Sequence, residues 1–217
     1  GAYFVGKMLW TKGPRELLPL LESMRAMLGD APPVAMYGGG PDAEAIRALA
    51  EKRDLPLDFK GPADHADLTS YRVLVNPSLS EVLCTTIAEA LAMGKWVVCA
   101  AHPSNTFFEQ FPNCLTFSTP EEFAAALSWA LHHPPPALTP AQLGQLSWDA
   151  ATQRFVEACR VPVGAAPQRH TGADRALQRL HRFIGKGKRG DAVRVFAGGG
   201  PVARQNGLGV AAAEWGE

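Results

Sequence analysis

Two carboxylates, Glu81 and Glu89, frame the stretch of this 217-residue chain best equipped for chemistry. It reads Asn76-Pro77-Ser78-Leu79-Ser80-Glu81-Val82-Leu83-Cys84-Thr85-Thr86-Ile87-Ala88-Glu89-Ala90-Leu91-Ala92-Met93-Gly94. The pattern predicts a strand ending at Asn76, a loop carrying Glu81, and a helix from near Thr85 that stops at Gly94. Backbone amides in the first turn of a helix lack an intrahelical acceptor, so those around Leu83, Cys84, Thr85 and Thr86 can bind phosphate oxygens. Acceptor-only carboxylates on both sides of such a cradle suit a ligand with hydroxyls at either end of a diphosphate. A plainer account exists for Glu89: Thr86-Ile87-Ala88-Glu89 has the spacing of a capping box, in which the glutamate serves only its own helix. Glu81, in the loop, has no such account.

A second group lies near the start. Lys7 follows the first predicted strand, at the edge where an open α/β sheet places its ligands, and Lys12 directly precedes the first predicted helix. Two ammonium groups beside a helix N-terminus can grip a diphosphate, because point charges and the helix dipole both favour an anion. Two lysines on a solvated loop are the alternative. Tyr37-Gly38-Gly39-Gly40-Pro41-Asp42 sits between a strand and a helix, but a G-x-G-x-x-G pattern would need glycine where Ala43 stands. It reads either as a weak cofactor loop or as a sharp strand-to-helix turn. His65 and His102 fall in loops, His132-His133 at a helix end, and Trp148 in an amphipathic helix as a packing residue.

These residues need elements to hold them. Short apolar runs at Ala2–Val5, Val34–Tyr37, Leu57–Lys60, Arg72–Asn76, Trp96–Ala100 and Cys114–Phe117 predict strands, with helices at 14–28, 42–53, 85–93 and 119–132. Runs without alternation, such as Val97-Val98-Cys99-Ala100, predict a parallel sheet covered on both faces, a Rossmann-like α/β fold. Thr119-Pro120-Glu121-Glu122 and Thr139-Pro140-Ala141-Gln142 both read as capped helix starts, the second opening a final helix towards Arg160. Pro19 falls inside the first helix and predicts a kink or a late start.

Composition narrows the classes. No stretch approaches the ~20 apolar residues of a membrane span. The opening Gly1-Ala2-Tyr3-Phe4-Val5 carries no signal-peptide features, and a chain that begins inside a strand without Met reads as a fragment lacking its N-terminal part. Four scattered cysteines (Cys84, Cys99, Cys114, Cys159) without C-x-x-C spacing predict a reducing compartment and no zinc. Charge divides unevenly: residues 1–160 hold 12 basic and 17 acidic side chains, residues 161–217 hold 9 and 4. The expected domains are therefore 1–162, with a long segment at about 140–160, and a basic Gly/Ala-rich tail at 163–217. The tail is expected to be mostly disordered, with a short amphipathic piece at Arg175–Ile184 and a Lys186–Arg189 cluster.

Glu81-x7-Glu89, with Pro77-Ser78 ahead and Glu89-Ala90-Leu91-Ala92-Met93-Gly94 closing it, resembles the signature of the retaining glycosyltransferases of the GT-B fold, family 4. Wider wording is similar to the plant and algal galactolipid-forming members: Tyr3-Phe4-Val5-Gly6-Lys7-Met8-Leu9-Trp10-Thr11-Lys12-Gly13, Cys99-Ala100-Ala101-His102-Pro103-Ser104-Asn105, and Leu146-Ser147-Trp148-Asp149-Ala150-Ala151-Thr152-Gln153-Arg154-Phe155. The resemblance covers residues 1 to about 160. It implies the C-terminal, nucleotide-sugar-binding half of a GT-B enzyme, with the segment 140–160 crossing back to the other half.

Carried onto this sequence, it assigns Lys7 and Lys12 to the donor diphosphate, Glu81 to the transferred sugar and Glu89 to the ribose hydroxyls. Leu83, Cys84 and Thr85 supply amides to the phosphates, while Gly61 and His65 fall in the region around the base. The activity implied is transfer of galactose from UDP-galactose to monogalactosyldiacylglycerol with retention of configuration. No cofactor beyond the donor and no metal is implied, since lysines and a helix N-terminus take the metal's role and no Asp-x-Asp motif is present. The implied partners are a galactolipid acceptor and a membrane surface met through the missing half, without nucleic acid, at the cytosolic face of the chloroplast outer envelope. The fragment alone is expected to bind UDP weakly and turn over nothing. Val82-Leu83 depart from the glycine and small residue that many members carry after the first acid, so a detailed sugar pose does not transfer. Alternatives are a related GT-B transferase with another sugar or acceptor, a sugar-nucleotide epimerase of the same fold, and a non-catalytic degenerate fragment.

Overall fold

A computed structural model describes residues 1–79 and 81–159. The expected tail, its Arg175–Ile184 piece, its Lys186–Arg189 cluster and the boundary at 162 lie outside the described residues. Six strands, β1 (Ala2–Val5), β2 (Val34–Tyr37), β3 (Leu57–Gly61), β4 (Val73–Asn76), β5 (Trp96–Ala100) and β6 (Cys114–Phe117), form one sheet in the order β3-β2-β1-β4-β5-β6, every pairing parallel. Alternate residues of each strand face opposite sides, so the sheet feeds two apolar layers. Phe4, Met36, Val73, Val75 and Val98 pack on one side with Leu17, Leu21, Ile46, Phe123 and Leu127, which come from α1 (Pro14–Leu28), α2 (Ala43–Lys52) and α4 (Pro120–His132). On the other side Tyr3, Ala35, Leu74, Val97 and Cys99 meet Ile87 and Leu91 of α3 (Thr85–Ala92) with Phe108 and Phe111. Helices therefore cover both faces, as expected for a Rossmann-like sheet.

Local chemistry explains the boundaries. Pro14 occupies the first position of α1, where its missing N–H costs nothing, and Gly29 closes the helix in the left-handed conformation by donating to the Arg25 carbonyl. The helix does not start late, and Pro19 is carried inside it. Thr119 and Glu122 form the expected reciprocal cap of α4. The expected single helix from Thr139 to Arg160 is instead two, α5 (Pro140–Gln145) and α6 (Trp148–Cys159). Ser147 makes the break: its hydroxyl donates to the Gly144 carbonyl at 2.7 Å and accepts from the Ala150 amide at 3.2 Å, ending one helix and capping the next. Trp148, expected to pack, is 82% exposed, and no residue of α6 is buried.

All four cysteines are free thiols. Among the described residues no group of three or more His, Cys, Asp and Glu is gathered for a metal, and no helix is long and apolar enough to cross a membrane.

Candidate functional site

The strand order turns back between β1 and β4, with β2 and β3 on one side and β5 and β6 on the other. From β1 the chain runs to α1 on one face; from β4 it runs to α3 on the opposite face. The two loops diverge and leave a crevice at the carboxyl end of the sheet, where open α/β folds bind their ligands.

The β1 loop is pinned from behind. Gly6 donates to the Tyr37 carbonyl at 3.0 Å, Met8 to that of Gly39 at 3.1 Å, and Trp10 to Asp42 Oδ2 at 3.0 Å, while Asp42 donates to the Met8 carbonyl at 3.2 Å. Lys7 is exposed between these anchors. Two of the three glycines are required by this contact. Gly38 has φ +133°, and a β-carbon there would fall 1.8 Å from the Gly6 oxygen; one on Gly40 would fall 2.5 Å from that of Met8. The segment makes the sharp strand-to-helix turn, and that turn supports the lysine loop.

The β4 loop is pinned by Asn76, which is buried. Its side-chain Oδ1 accepts from the Ser78 amide at 3.1 Å and its Nδ2 donates to Cys84 Sγ at 2.9 Å, so the strand end is tied to the start of α3. Ser78 then bridges to the β1 loop by donating its hydroxyl to the Thr11 carbonyl at 3.4 Å. Cys84 is the N-cap of α3 and gives the helix no side-chain cap. Burial pushes its thiol above the ordinary range, partly offset by the Thr86 hydroxyl, so it sits there as an uncharged group.

Across the crevice Lys12 Nζ meets Glu81 Oε2 at 3.0 Å, in a half-buried ion pair. Lys7, Lys12, Glu81, Leu83, Cys84 and Thr85 line one cavity of about 170 Å³. The structure thus brings together six of the nine residues singled out from the sequence.

Glu89 lies one turn further along α3, on two adjoining cavities. Leu83 and Thr85 are shared with the first of these, about 200 Å³, whose far wall is Phe107, Trp148 and Arg154. The second is an open cleft of about 930 Å³ that Glu89 shares with His65, Asp64 and Lys95. The capping-box account of Glu89 fails, because the helix begins at Thr85, one residue before Thr86. The Thr86 hydroxyl bonds to Cys84 Sγ, and Glu89 Oε2 takes a 2.7 Å hydrogen bond with His65 Nδ1. His65 is only 9% exposed and its other ring nitrogen bonds the Tyr3 hydroxyl at 2.7 Å. Gly61 ends β3 with φ +79°, accepts from the Gly38 amide at 2.9 Å, and lines none of these three cavities. His102 caps the turn Pro103–Gln110 by accepting from the Ser104 amide, a structural task.

Sequence reasoning missed Tyr3, Lys95 and Arg154. Lys95 Nζ donates to the Leu68 and Tyr71 carbonyls at 2.7 and 2.6 Å, and burial lowers its pKa. A lysine wedged between a helix-ending glycine and an apolar strand was the available signal. Arg154 lies over the Phe107 ring at 4.7 Å and reaches the cavity only because the chain turns at Ser147. No residue spacing announces that turn.

Residues 2–145 match the family model described as glycosyl transferases group 1. A 159-residue stretch is 55% identical to "Digalactosyldiacylglycerol synthase 1, chloroplastic" of Lotus japonicus, covering 72% of this chain and 20% of that protein. The same length is 50% identical to "Digalactosyldiacylglycerol synthase 2, chloroplastic" of Arabidopsis thaliana, covering 72% of this chain and 33% of that protein. The chain therefore spans about a fifth to a third of these relatives' length. Among solved structures, that of TarM superposes with a TM-score of 0.56 at 17% identity, over 72% of this chain and 34% of the other, a likeness of fold.

Proposed function

Because this chain belongs to the group 1 glycosyltransferases, we propose that its crevice holds the activated sugar donor, UDP-galactose, for transfer to a galactolipid acceptor. The observation that carries this reading is the meeting of Lys7, Lys12, Glu81 and the uncapped N-terminus of α3 in one cavity at the sheet's switch point. The identity to proteins named digalactosyldiacylglycerol synthase supports galactose as the sugar and monogalactosyldiacylglycerol as the acceptor. Their common label "chloroplastic" supports the plastid as the location; a lipid acceptor calls for work at a membrane surface, which this reading takes to be the outer envelope.

The chemistry follows from charge. Breaking the anomeric bond leaves negative charge on the departing diphosphate. Two ammonium groups and the first amides of α3 stabilise that charge without moving, and preorganised dipoles of this kind supply the largest share of many rate enhancements. Lys12 exchanges Glu81 for phosphate oxygen as the donor enters, which frees the carboxylate to accept from sugar hydroxyls. Leu83, Cys84 and Thr85 contribute amides, and Glu89 reads the ribose. The lysines and amides do the neutralising that a divalent cation does elsewhere, so transfer with retention proceeds with no cofactor beyond the donor.

A chimera tests this. Residues 1–159 replace the matching segment of the Lotus japonicus relative, and transfer from labelled UDP-galactose and UDP-glucose to galactolipid vesicles is followed with and without EDTA. The reading expects EDTA-resistant transfer that favours UDP-galactose. Equal use of both sugars, or transfer that EDTA abolishes, would contradict the corresponding part of it.

A further inference from the structure

The geometry points to His65 as a positioning residue: held from behind by Tyr3, it fixes the Glu89 carboxylate in one orientation, committing one oxygen to the imidazole and leaving the other for a ribose hydroxyl. This rests on the donor reading above and goes beyond it, because it assigns ribose selectivity to a hydrogen-bond chain that stands behind Glu89.

Three segments distant in sequence build the device. Tyr3 lies in β1, His65 in the loop after β3 and Glu89 in α3, and the two hydrogen bonds that join them are both 2.7 Å. An ionised carboxylate can only accept, so Nδ1 is the nitrogen that carries hydrogen towards Glu89 in either protonation state of the ring. Nε2 is left to Tyr3, whose hydroxyl can donate to it or accept from it. Tyr3 is fully buried, and burial together with the Glu89 charge keeps the phenol protonated.

The loop carrying His65 is itself held. Asp64 accepts from the Ala66 amide at 3.0 Å, Leu68 donates to the His65 carbonyl at 3.1 Å, and Lys95 Nζ clamps the Leu68 and Tyr71 carbonyls. Lys95 also lies 5.5 Å from the Tyr3 ring. The Glu89 side chain, by contrast, is half exposed on α3. A glutamate so placed samples several rotamers, and the imidazole bond selects one of them. Its carboxylate faces an open cleft that it shares with His65.

Calorimetric titration of the full chain with UDP and with 2′,3′-dideoxy-UDP tests the inference. The native chain is expected to prefer UDP by about tenfold, the scale of a hydrogen bond to a charged group. In His65→Leu the preference narrows to about twofold, mainly through weaker binding of UDP. His65→Asn, whose amide nitrogen can stand near Nδ1, recovers part of it. Tyr3→Phe keeps the aromatic ring in the core and narrows the preference less, which gives a reading even where His65→Leu lowers the melting temperature. Unchanged discrimination in both His65→Leu and Tyr3→Phe overturns the inference and leaves the donor reading intact. No binding of UDP by the native chain removes the donor reading and the inference together. Native binding without discrimination removes the ribose role of Glu89 and hence the inference.

Discussion

Lys12 and Glu81 form an ion pair in a crevice, and their substitutions separate binding from chemistry. Lys12→Ala removes an ammonium from the diphosphate and is expected to weaken UDP binding about 10- to 100-fold in a titration, the loss of one charge-assisted contact. Glu81→Gln removes the competitor for Lys12, so UDP affinity holds or rises while sugar transfer by the chimera falls at least tenfold. Parallel losses in binding and transfer for Glu81→Gln would show that the carboxylate merely orients the lysine. At this scale much was legible: Lys7, Lys12, Glu81 and the Leu83–Thr85 amides announce themselves by residue type and by their place at strand and helix ends. The His65–Glu89 bond was not legible, because a capping box and a ligand-reading carboxylate share one spacing, and only the third dimension puts a histidine against one of them.

The elements carry the site through backbone contacts that side-chain motifs do not reveal. Gly38 allows the turn after β2 to press against the Gly6 carbonyl, and that contact holds the lysine loop in place. Gly38→Ala forces the loop away. It is expected to cost about 1–3 kcal/mol, read as a lower melting temperature, and to weaken UDP binding although no ligand contact has changed. A normal melting point with normal UDP affinity would mean the loop does not need that support. Within α1, Glu16 Oε2 is enclosed without a hydrogen-bond partner among the described residues, and burial raises the carboxyl's pKa. A carboxyl with a folded pKa above its unfolded value is destabilised by ionisation in the fold. That cost is present above the folded pKa and fades as pH falls through it to the unfolded value. Glu16→Gln is therefore expected to raise the melting temperature at pH 7, with the gain shrinking towards pH 4, and a gain independent of pH would contradict the assignment. Strand boundaries were readable because buried parallel strands are short unbroken apolar runs. The α5–α6 break was hidden because Ser147 caps without the acid three residues on that makes a capping box recognisable, position 150 being alanine.

At the scale of the whole molecule, connectivity does the positioning. The two lysines lie far from the two acids in sequence (Lys12 and Glu81 are 69 positions apart), but a strand order that turns back between β1 and β4 puts their two loops on either side of one crevice. Alternating strand and helix signals disclosed the layer architecture, and the sheet's turning point then fixed which loops could meet. Exposed Trp148, Phe155 and Val156 on α6 follow a different logic, since no residue of that helix is buried against the rest of residues 1–159. The central claim is that the crevice is an anion site for a nucleoside diphosphate, and titrating the chain with UDP tests it most directly. The account predicts saturable binding at one site that weakens with added salt and falls more than tenfold when Lys7 and Lys12 are both replaced by alanine. Millimolar UDP that evokes no heat, or binding indifferent to both lysines, would contradict it.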